Sequence, residues 1–180
     1  MIKTSTIKPD RGLGDVLVLR GSVLLHSNYG STGSTSMWKI MDGKFAVKID
    51  NITGDGAASL SHDGTLVATD HLGPSRVINI WDLIKGGVVK KIDKQGAGQL
   101  KSMKFSPDGN VLAATGNLGQ LRFWDVKGWQ LISKTRLGVD VAKLTFSPDS
   151  ERILVTSKYK VFLLFFRQWG NDCHRWVYYI

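Results

Sequence analysis

Several features that would place the chain in other protein classes are absent from the sequence. Cys173 is its single cysteine, so no disulfide can form within the chain. No apolar run approaches the roughly 18 residues that a membrane-spanning helix needs. The densest apolar run, residues 161–166, is six residues long, and the N-terminal stretch MIKTSTIKPD lacks the apolar core of a secretory signal. These absences predict a soluble intracellular protein, cytoplasmic or nuclear.

Helical periodicity is missing as well, because apolar residues nowhere keep helical spacing over a stretch long enough for an amphipathic helix. Short runs rich in Val, Ile, Leu, Phe and Thr occur instead, and turn sequences bound them. The Asp-Gly pairs at 63–64 and 108–109 supply residues that tolerate positive φ in a tight reversal. The pattern predicts an all-β fold.

The strand-like runs belong to a repeat. Trp38, Trp81 and Trp124 are 43 residues apart, in the contexts SMWKI, INIWDL and LRFWDV. Each unit reads as four short strands joined by turns, and in a fourth unit Leu164 stands where the tryptophan is expected. A four-stranded unit of this size cannot bury both faces alone, whereas radial packing against neighbours covers them. The repeat therefore predicts a β-propeller built of four-stranded antiparallel blades.

The segments LSHDGTLVATDHLGPSRVINIWDLIKG, FSPDGNVLAATGNLGQLRFWDVKG and LTFSPDSERILVTS resemble the WD-repeat β-propeller family. Two departures are visible. The family's Gly-His pair has no full copy, and Leu118 and Leu72 stand where the family has an aspartate before the third strand. The resemblance therefore implies a divergent propeller that lacks the buried Trp–His–Asp hydrogen-bond network. Its tryptophans are expected to act mainly as packing residues.

The expected organisation is one WD-repeat-like domain over residues 1–180. Its blades are placed at about 15–50, 56–93, 98–136 and 139–180, with 1–14 as an N-terminal strand or extension. Four units are few for this family, whose propellers most often have about seven blades. The chain is therefore a piece of a larger propeller, a part completed by association, or a small closed or open propeller.

No catalytic, cofactor or metal site is predicted. The Cys173-His174 pair is isolated, and no His, Cys and Asp set has metal-ligand spacing. The loop GSTGSTS lacks the lysine and the helix of a phosphate-binding loop. An enzyme remains an alternative, since Asp55, Asp70, Asp93 and Asp140 lie near loop ends where they could converge at a channel mouth.

Net charge is the strongest electrostatic signal, at +9 from 24 basic and 15 acidic residues. The basic residues are scattered in small groups, and no RNA-binding aromatic motif accompanies them. Mixed surface charge explains this pattern most simply. An acidic protein partner and nucleic acid, including a ribonucleoprotein, are the two alternatives.

A non-catalytic scaffold for protein–protein interactions is the function that the resemblance implies, because propeller loops present side chains on a rigid frame. Such a scaffold binds protein partners and can associate with itself or with further blades. We predict five partner-binding residues, all in loops on one face: Tyr29, His71, Arg76, Asn117 and Lys160.

Two expectations concern packing. Trp81 and Trp124 should be largely buried between neighbouring blades. In an open arc, the outer faces of the first and fourth blades would be uncovered and would favour association. The residues expected on those faces are Val16, Val18, Leu24, Phe162, Leu164 and Phe166.

Overall fold

A computed structural model describes most of the chain. The described residues are 16–20, 23–27, 35–41, 44–52, 57–70, 77–169 and 172–179, and side chains are described for 57–70, 77–117 and 119–165.

The strands form four antiparallel sheets of four strands each, and in every sheet the strands pair in chain order. The first sheet contains β1 (Val16–Arg20), β2 (Val23–Ser27), β3 (Thr35–Met41) and β4 (Lys44–Ile52). The second contains β5 (Ala58–Leu60), β6 (Leu66–Asp70), β7 (Val77–Asp82) and β8 (Val88–Asp93). The third contains β9 (Leu100–Phe105), β10 (Val111–Gly116), β11 (Gln120–Asp125) and β12 (Leu131–Arg136). The fourth contains β13 (Val141–Phe146), β14 (Arg152–Ser157), β15 (Val161–Trp169) and β16 (Asp172–Tyr179). The predicted all-β fold of four-stranded antiparallel units is confirmed.

The register of the sheets reproduces the sequence repeat. Trp81 lies opposite Val67, and Trp124 lies opposite Leu112, its equivalent in the third sheet. In the fourth sheet Leu164 lies opposite Ile153, so it occupies the tryptophan position, as predicted. Because the register is kept, residues can be compared position by position from one sheet to the next.

The first strand of each sheet packs against the first strand of the next. β1 contacts β5, β5 contacts β9, and β9 contacts β13. Serine hydroxyls tie these strands together: the Phe105 amide donates to Ser59 Oγ at 3.0 Å, and the Leu144 amide donates to Ser102 Oγ at 3.3 Å. The sheets therefore stack side by side with their first strands adjacent, as propeller blades do.

Two apolar cores lie between the sheets. One joins the second and third sheets and includes Trp124, which is 1% exposed, with Ile78 and Leu112. The other joins the third and fourth sheets and includes Phe123. The predicted burial is thus confirmed for Trp124, whereas Trp81 is half-buried.

The prediction that Phe162 and Leu164 line an uncovered outer face of the fourth unit is wrong. Phe162 and Leu164 point toward the third sheet and are 0% and 5% exposed. The opposite face carries Leu154 and Val161, which are exposed. The alternation of side chains along a strand separates two faces but does not say which neighbour each face meets. Val16, Val18, Leu24 and Phe166 lie outside the described side chains.

The turns between the first and second strands share one hydrogen-bond pattern. The Ser106 hydroxyl donates to Asp108 Oδ1 at 2.5 Å and accepts from the Val111 amide at 2.9 Å. Ser61 and Ser147 make the same pair of bonds in the neighbouring sheets. The last turn position is left-handed, as predicted for the Asp-Gly pairs.

These turns make the protein sensitive to acid. Hydrogen bonds from the Ser147 hydroxyl, the Glu151 amide and Arg152 lower the pKa of Asp149 to about 2. Because this folded-state pKa lies below the ordinary value of 3.8, the Asp149 contribution is fully present above pH 4. It is lost as the pH falls toward 2. We expect the stability difference between the wild type and Asp149→Asn to shrink over this range in urea unfolding; a constant difference would contradict the assignment.

Candidate interaction face

The antiparallel order places the connections at two ends of the sheets. Connections between the second and third strands of a sheet, and those from one sheet to the next, lie at one end, which we call the loop face. Its described parts are residues 94–99, Asn117–Gly119, 137–140 and 158–160. The remaining connections lie at the opposite end, which we call the turn face.

Close backbone contacts fix the loops of the loop face against one another. A Cβ added at Gly116 would lie 2.5 Å from the Ala97 carbonyl oxygen, and one at Gly119 would collide with the carbonyl oxygen of Val139. Only glycine permits these approaches. The loops that enter the third and fourth sheets therefore pack directly on the end of β10 and on the short 3-10 turn that follows it.

A buried ion pair also stands at this end, between the second and third sheets. Asp70 ends β6, and Lys94 follows β8; their side chains are 0% and 4% exposed and form a salt bridge. Asp70 Oδ2 also accepts a hydrogen bond of 3.0 Å from the Leu100 amide at the start of β9. The pair thus ties the second sheet to the loop and strand that begin the third.

The corresponding positions at the next junction carry no charge. Register places Thr115 at the Asp70 position and Leu137 at the Lys94 position. The ion pair between the second and third sheets therefore has uncharged residues at the equivalent positions between the third and fourth sheets.

A second buried cation lies in the third sheet. Arg122 is 6% exposed, and its Nη2 donates to the Gln95 carbonyl oxygen at 2.8 Å. Burial lowers the pKa of this guanidinium. Arg122 therefore holds the loop between the second and third sheets through a neutral acceptor, whereas Lys94 does so through a carboxylate.

The tryptophan positions differ in their polar contacts. Trp81 Nε1 donates to Thr69 Oγ1 at 3.0 Å, within the second sheet. In the third sheet Ala114 occupies the position of Thr69 and offers no hydroxyl to Trp124. Trp81 therefore has a hydrogen bond in addition to its packing contacts.

The structure describes two of the five predicted contact residues. Asn117 and Lys160 are both exposed and lie in equivalent connections of the loop face, between the second and third strands of their sheets. The Asn117 amide lies beside Gly98 in the adjoining loop. Tyr29, His71 and Arg76 lie outside the described residues, so their place in the face stays a prediction.

Two of the four carboxylates considered for an enzyme, Asp70 and Asp93, have described polar contacts. Asp70 is buried in its ion pair, and Asp93 Oδ1 accepts from the Gln95 amide at 2.5 Å. Asp140 is exposed, while Asp55 lies outside the described residues. Among the residues that the structure describes, no three His, Cys, Asp or Glu side chains cluster closely enough for a metal ion. The described part also contains no helix of the length and apolarity that crossing a bilayer requires.

The buried ion pair and Arg122 are features that the sequence reasoning missed. A signal existed for Asp70, because a carboxylate at the end of the apolar run TLVATD is unusual and predicts a partner. Nothing in the sequence pointed to Lys94 as that partner, since Asp70 ends β6 and Lys94 follows β8.

Comparison with known proteins supports the resemblance. A family model, the WD domain, G-beta repeat, matches residues 88–125, which run from β8 to β11. The chain is 26% identical over 136 residues to the U3 small nucleolar RNA-associated protein 18 homolog of Homo sapiens, covering 71% of this chain and 24% of that protein. It is 27% identical over 137 residues to the Mus musculus protein of the same name, covering 72% of this chain and 24% of that protein. The chain spans about a quarter of the length of these relatives. The predicted WD-repeat resemblance is confirmed.

Proposed function

Because residues 88–125 match the WD-repeat family model, we propose that the chain is a non-catalytic scaffold whose loop face binds a protein partner. One observation carries the proposal: the loops that enter the third and fourth sheets pack on the connection 117–119, while Asn117 and Lys160 are exposed on the same face. A surface that is ordered before binding loses little conformational entropy on association.

The partner is proposed to belong to a ribonucleoprotein complex. The two curated relatives are named as U3 small nucleolar RNA-associated proteins, and a WD-repeat unit in such an assembly is expected to contact protein subunits. An intracellular location, cytoplasmic or nuclear, follows from this proposal. The four sheets are proposed to act as one domain, with further blades or a second copy as its neighbours.

Alanine substitution of the five predicted contact residues tests the loop face. The variant replaces Tyr29, His71, Arg76, Asn117 and Lys160, and we expect it to keep its β-type circular dichroism. Partner capture, quantified by mass spectrometry, is expected to fall about tenfold or more, because hot-spot side chains dominate binding energy.

The turn face supplies a matched control. It carries four exposed residues that can be replaced together by alanine: Asn110, Lys127, Gln130 and Glu151. This control should capture the same partners as the wild type. Retained capture by the loop-face variant, or equal losses in both variants, would exclude the loop face as the binding surface.

Nucleic-acid binding is a second candidate, favoured by the net charge of +9 and by the RNA association named for the relatives. Binding through phosphates weakens steeply as salt rises, because each neutralised phosphate releases counterions. A salt series with single-stranded RNA therefore separates this function from protein binding. A flat dependence on salt would argue against it.

A further inference from the structure

The outer strand of the second sheet is unusually exposed for its composition. β8 has the sequence VVKKID, and it ends the strand order of its sheet. Val88 is 39% exposed, Val89 is 46% exposed, and Ile84 in the preceding turn is 79% exposed. Together with Lys85, Lys90 and Lys91, these residues form what we call the β8 edge.

The equivalent strand of the third sheet shows that this exposure is not a general property of outer strands. In β12, Leu131 is half-buried and packs on the core between the second and third sheets. Ile132 is also half-buried and packs on the core between the third and fourth sheets. The apolar residues of β12 thus pack on the cores, whereas in β8 only Ile92 is buried, and Val88 and Val89 remain at the surface.

Charge gives the β8 edge a preferred partner. Lys90 and Lys91 are exposed, and no described residue forms a salt bridge with either. Lys85 reaches an acid only at 3.9 Å, to Asp82, and its side chain is 77% exposed. Asp93, the acid at the end of the strand, accepts the Gln95 amide. An apolar edge with three weakly compensated lysines matches an extended segment that combines acidic and aliphatic side chains.

The backbone of β8 sets the geometry of such a contact. The pairing with β7 shifts between Ile80 and Trp81, so Val89 bulges out of the ladder. Bulges and edge lysines discourage an edge strand from pairing with its own copies, because like charges would be placed side by side. An acidic strand meets no repulsion from Lys90 and Lys91, and it gains main-chain hydrogen bonds along residues 90–93.

We propose that the β8 edge binds an extended acidic segment of a protein partner by strand addition. The acidic residues would face Lys90 and Lys91, and the aliphatic residues would cover Val88 and Val89. This surface is separate from the loop face, so the two proposals can fail independently.

Fluorescence anisotropy with a labelled ten-residue peptide tests the proposal on the full chain. In this peptide pairs of Asp or Glu alternate with pairs of Val or Ile, because neighbouring residues of a strand face opposite sides of the sheet. Lys90→Glu/Lys91→Glu should weaken binding about tenfold or more, since two attractive charges become repulsive. The matched change in β12, Lys134→Glu/Arg136→Glu, should weaken it less than about threefold, as an effect of net charge alone. The five-residue loop-face variant should bind the peptide normally.

A second arm uses only the wild-type protein. The same peptide with alternate backbone amides N-methylated keeps its charge but loses strand-pairing donors, and it should bind at least about tenfold more weakly. Equal binding of the methylated peptide, or equal losses from the β8 and β12 variants, would overturn strand addition. Tighter binding of single-stranded RNA with the same dependence on Lys90 and Lys91 would also overturn it, in favour of a phosphate-binding surface.

Discussion

Replacing Trp124 with alanine is expected to lower the free energy of unfolding by about 3–5 kcal/mol, the usual cost of removing a large buried aromatic side chain. Trp124 is 1% exposed and lies in the core between the second and third sheets. Its removal would leave a cavity bordered by residues of both sheets. Urea unfolding followed by circular dichroism measures the loss.

Tyr159 provides the control for Trp124. This tyrosine is 82% exposed in the connection between β14 and β15, so Tyr159→Ala should change the free energy of unfolding by less than about 0.5 kcal/mol. A change below about 1 kcal/mol for Trp124→Ala would contradict its place at the centre of the core.

Replacing Lys94 with methionine is expected to cost about 3–5 kcal/mol as well, although it removes no apolar group. The change leaves the carboxylate of Asp70 buried at 0% exposure without its counter-charge, and an unpaired buried charge is strongly destabilising. Leu100 would still donate its amide to this carboxylate. One neutral donor does not replace a cation.

Arg122→Met is the matched control, because it also replaces a long buried cation with an uncharged chain. Arg122 donates to the Gln95 carbonyl oxygen rather than to a carboxylate, so its loss strands no buried charge. We expect a change within about 1 kcal/mol. Equal costs for Lys94→Met and Arg122→Met would show that the ion pair is not the reason for the loss.

The next junction of the protein suggests a rescue. Thr115 and Leu137 occupy the positions equivalent to Asp70 and Lys94 there. The double variant Asp70→Thr/Lys94→Leu should therefore recover most of the stability that Lys94→Met loses. A double variant no more stable than Lys94→Met would contradict the equivalence of the two junctions.

The sequence repeat was sufficient to predict the strands and their order. The 43-residue spacing of the tryptophans and the Ser-x-Asp turns survive in the structure as equivalent register positions. These signals are local, because each depends on residues within one sheet. The position of Leu164 in place of a tryptophan was predictable for the same reason.

Contacts between sheets could not be predicted in the same way. The spacing of Phe162 and Leu164 places them on the same face of β15, but only the packed structure shows that this face meets the third sheet. The partnership of Asp70 with Lys94 joins two connections that are distant in the chain. The hydrogen bond of Trp81 depends on the side chain two residues along the neighbouring strand, where the second sheet has Thr69 and the third has Ala114.

The sequence could predict at which end of the sheets these loops lie, but not the contacts that hold them together. Topology alone requires that connections such as 117–119 and 158–160 lie at one end, so Asn117 and Lys160 were placed correctly in loops. The fixing of those loops through Gly116 and Gly119 depends on close backbone approaches. No pattern of residue types in the sequence predicts these close contacts between backbone segments.

We propose that the loop face, and not the turn face, contacts the protein partner. Site-specific photo-crosslinking tests it most directly, with the crosslinker placed at Asn117 or Lys160 on the loop face. The controls place it at Asn110 or Lys127, which are also exposed but lie on the turn face. We expect cross-linked protein adducts from the loop-face positions and none above background from the turn-face positions. Adducts from Asn110 and Lys127 alone, or RNA adducts without protein from Asn117 and Lys160, would contradict it.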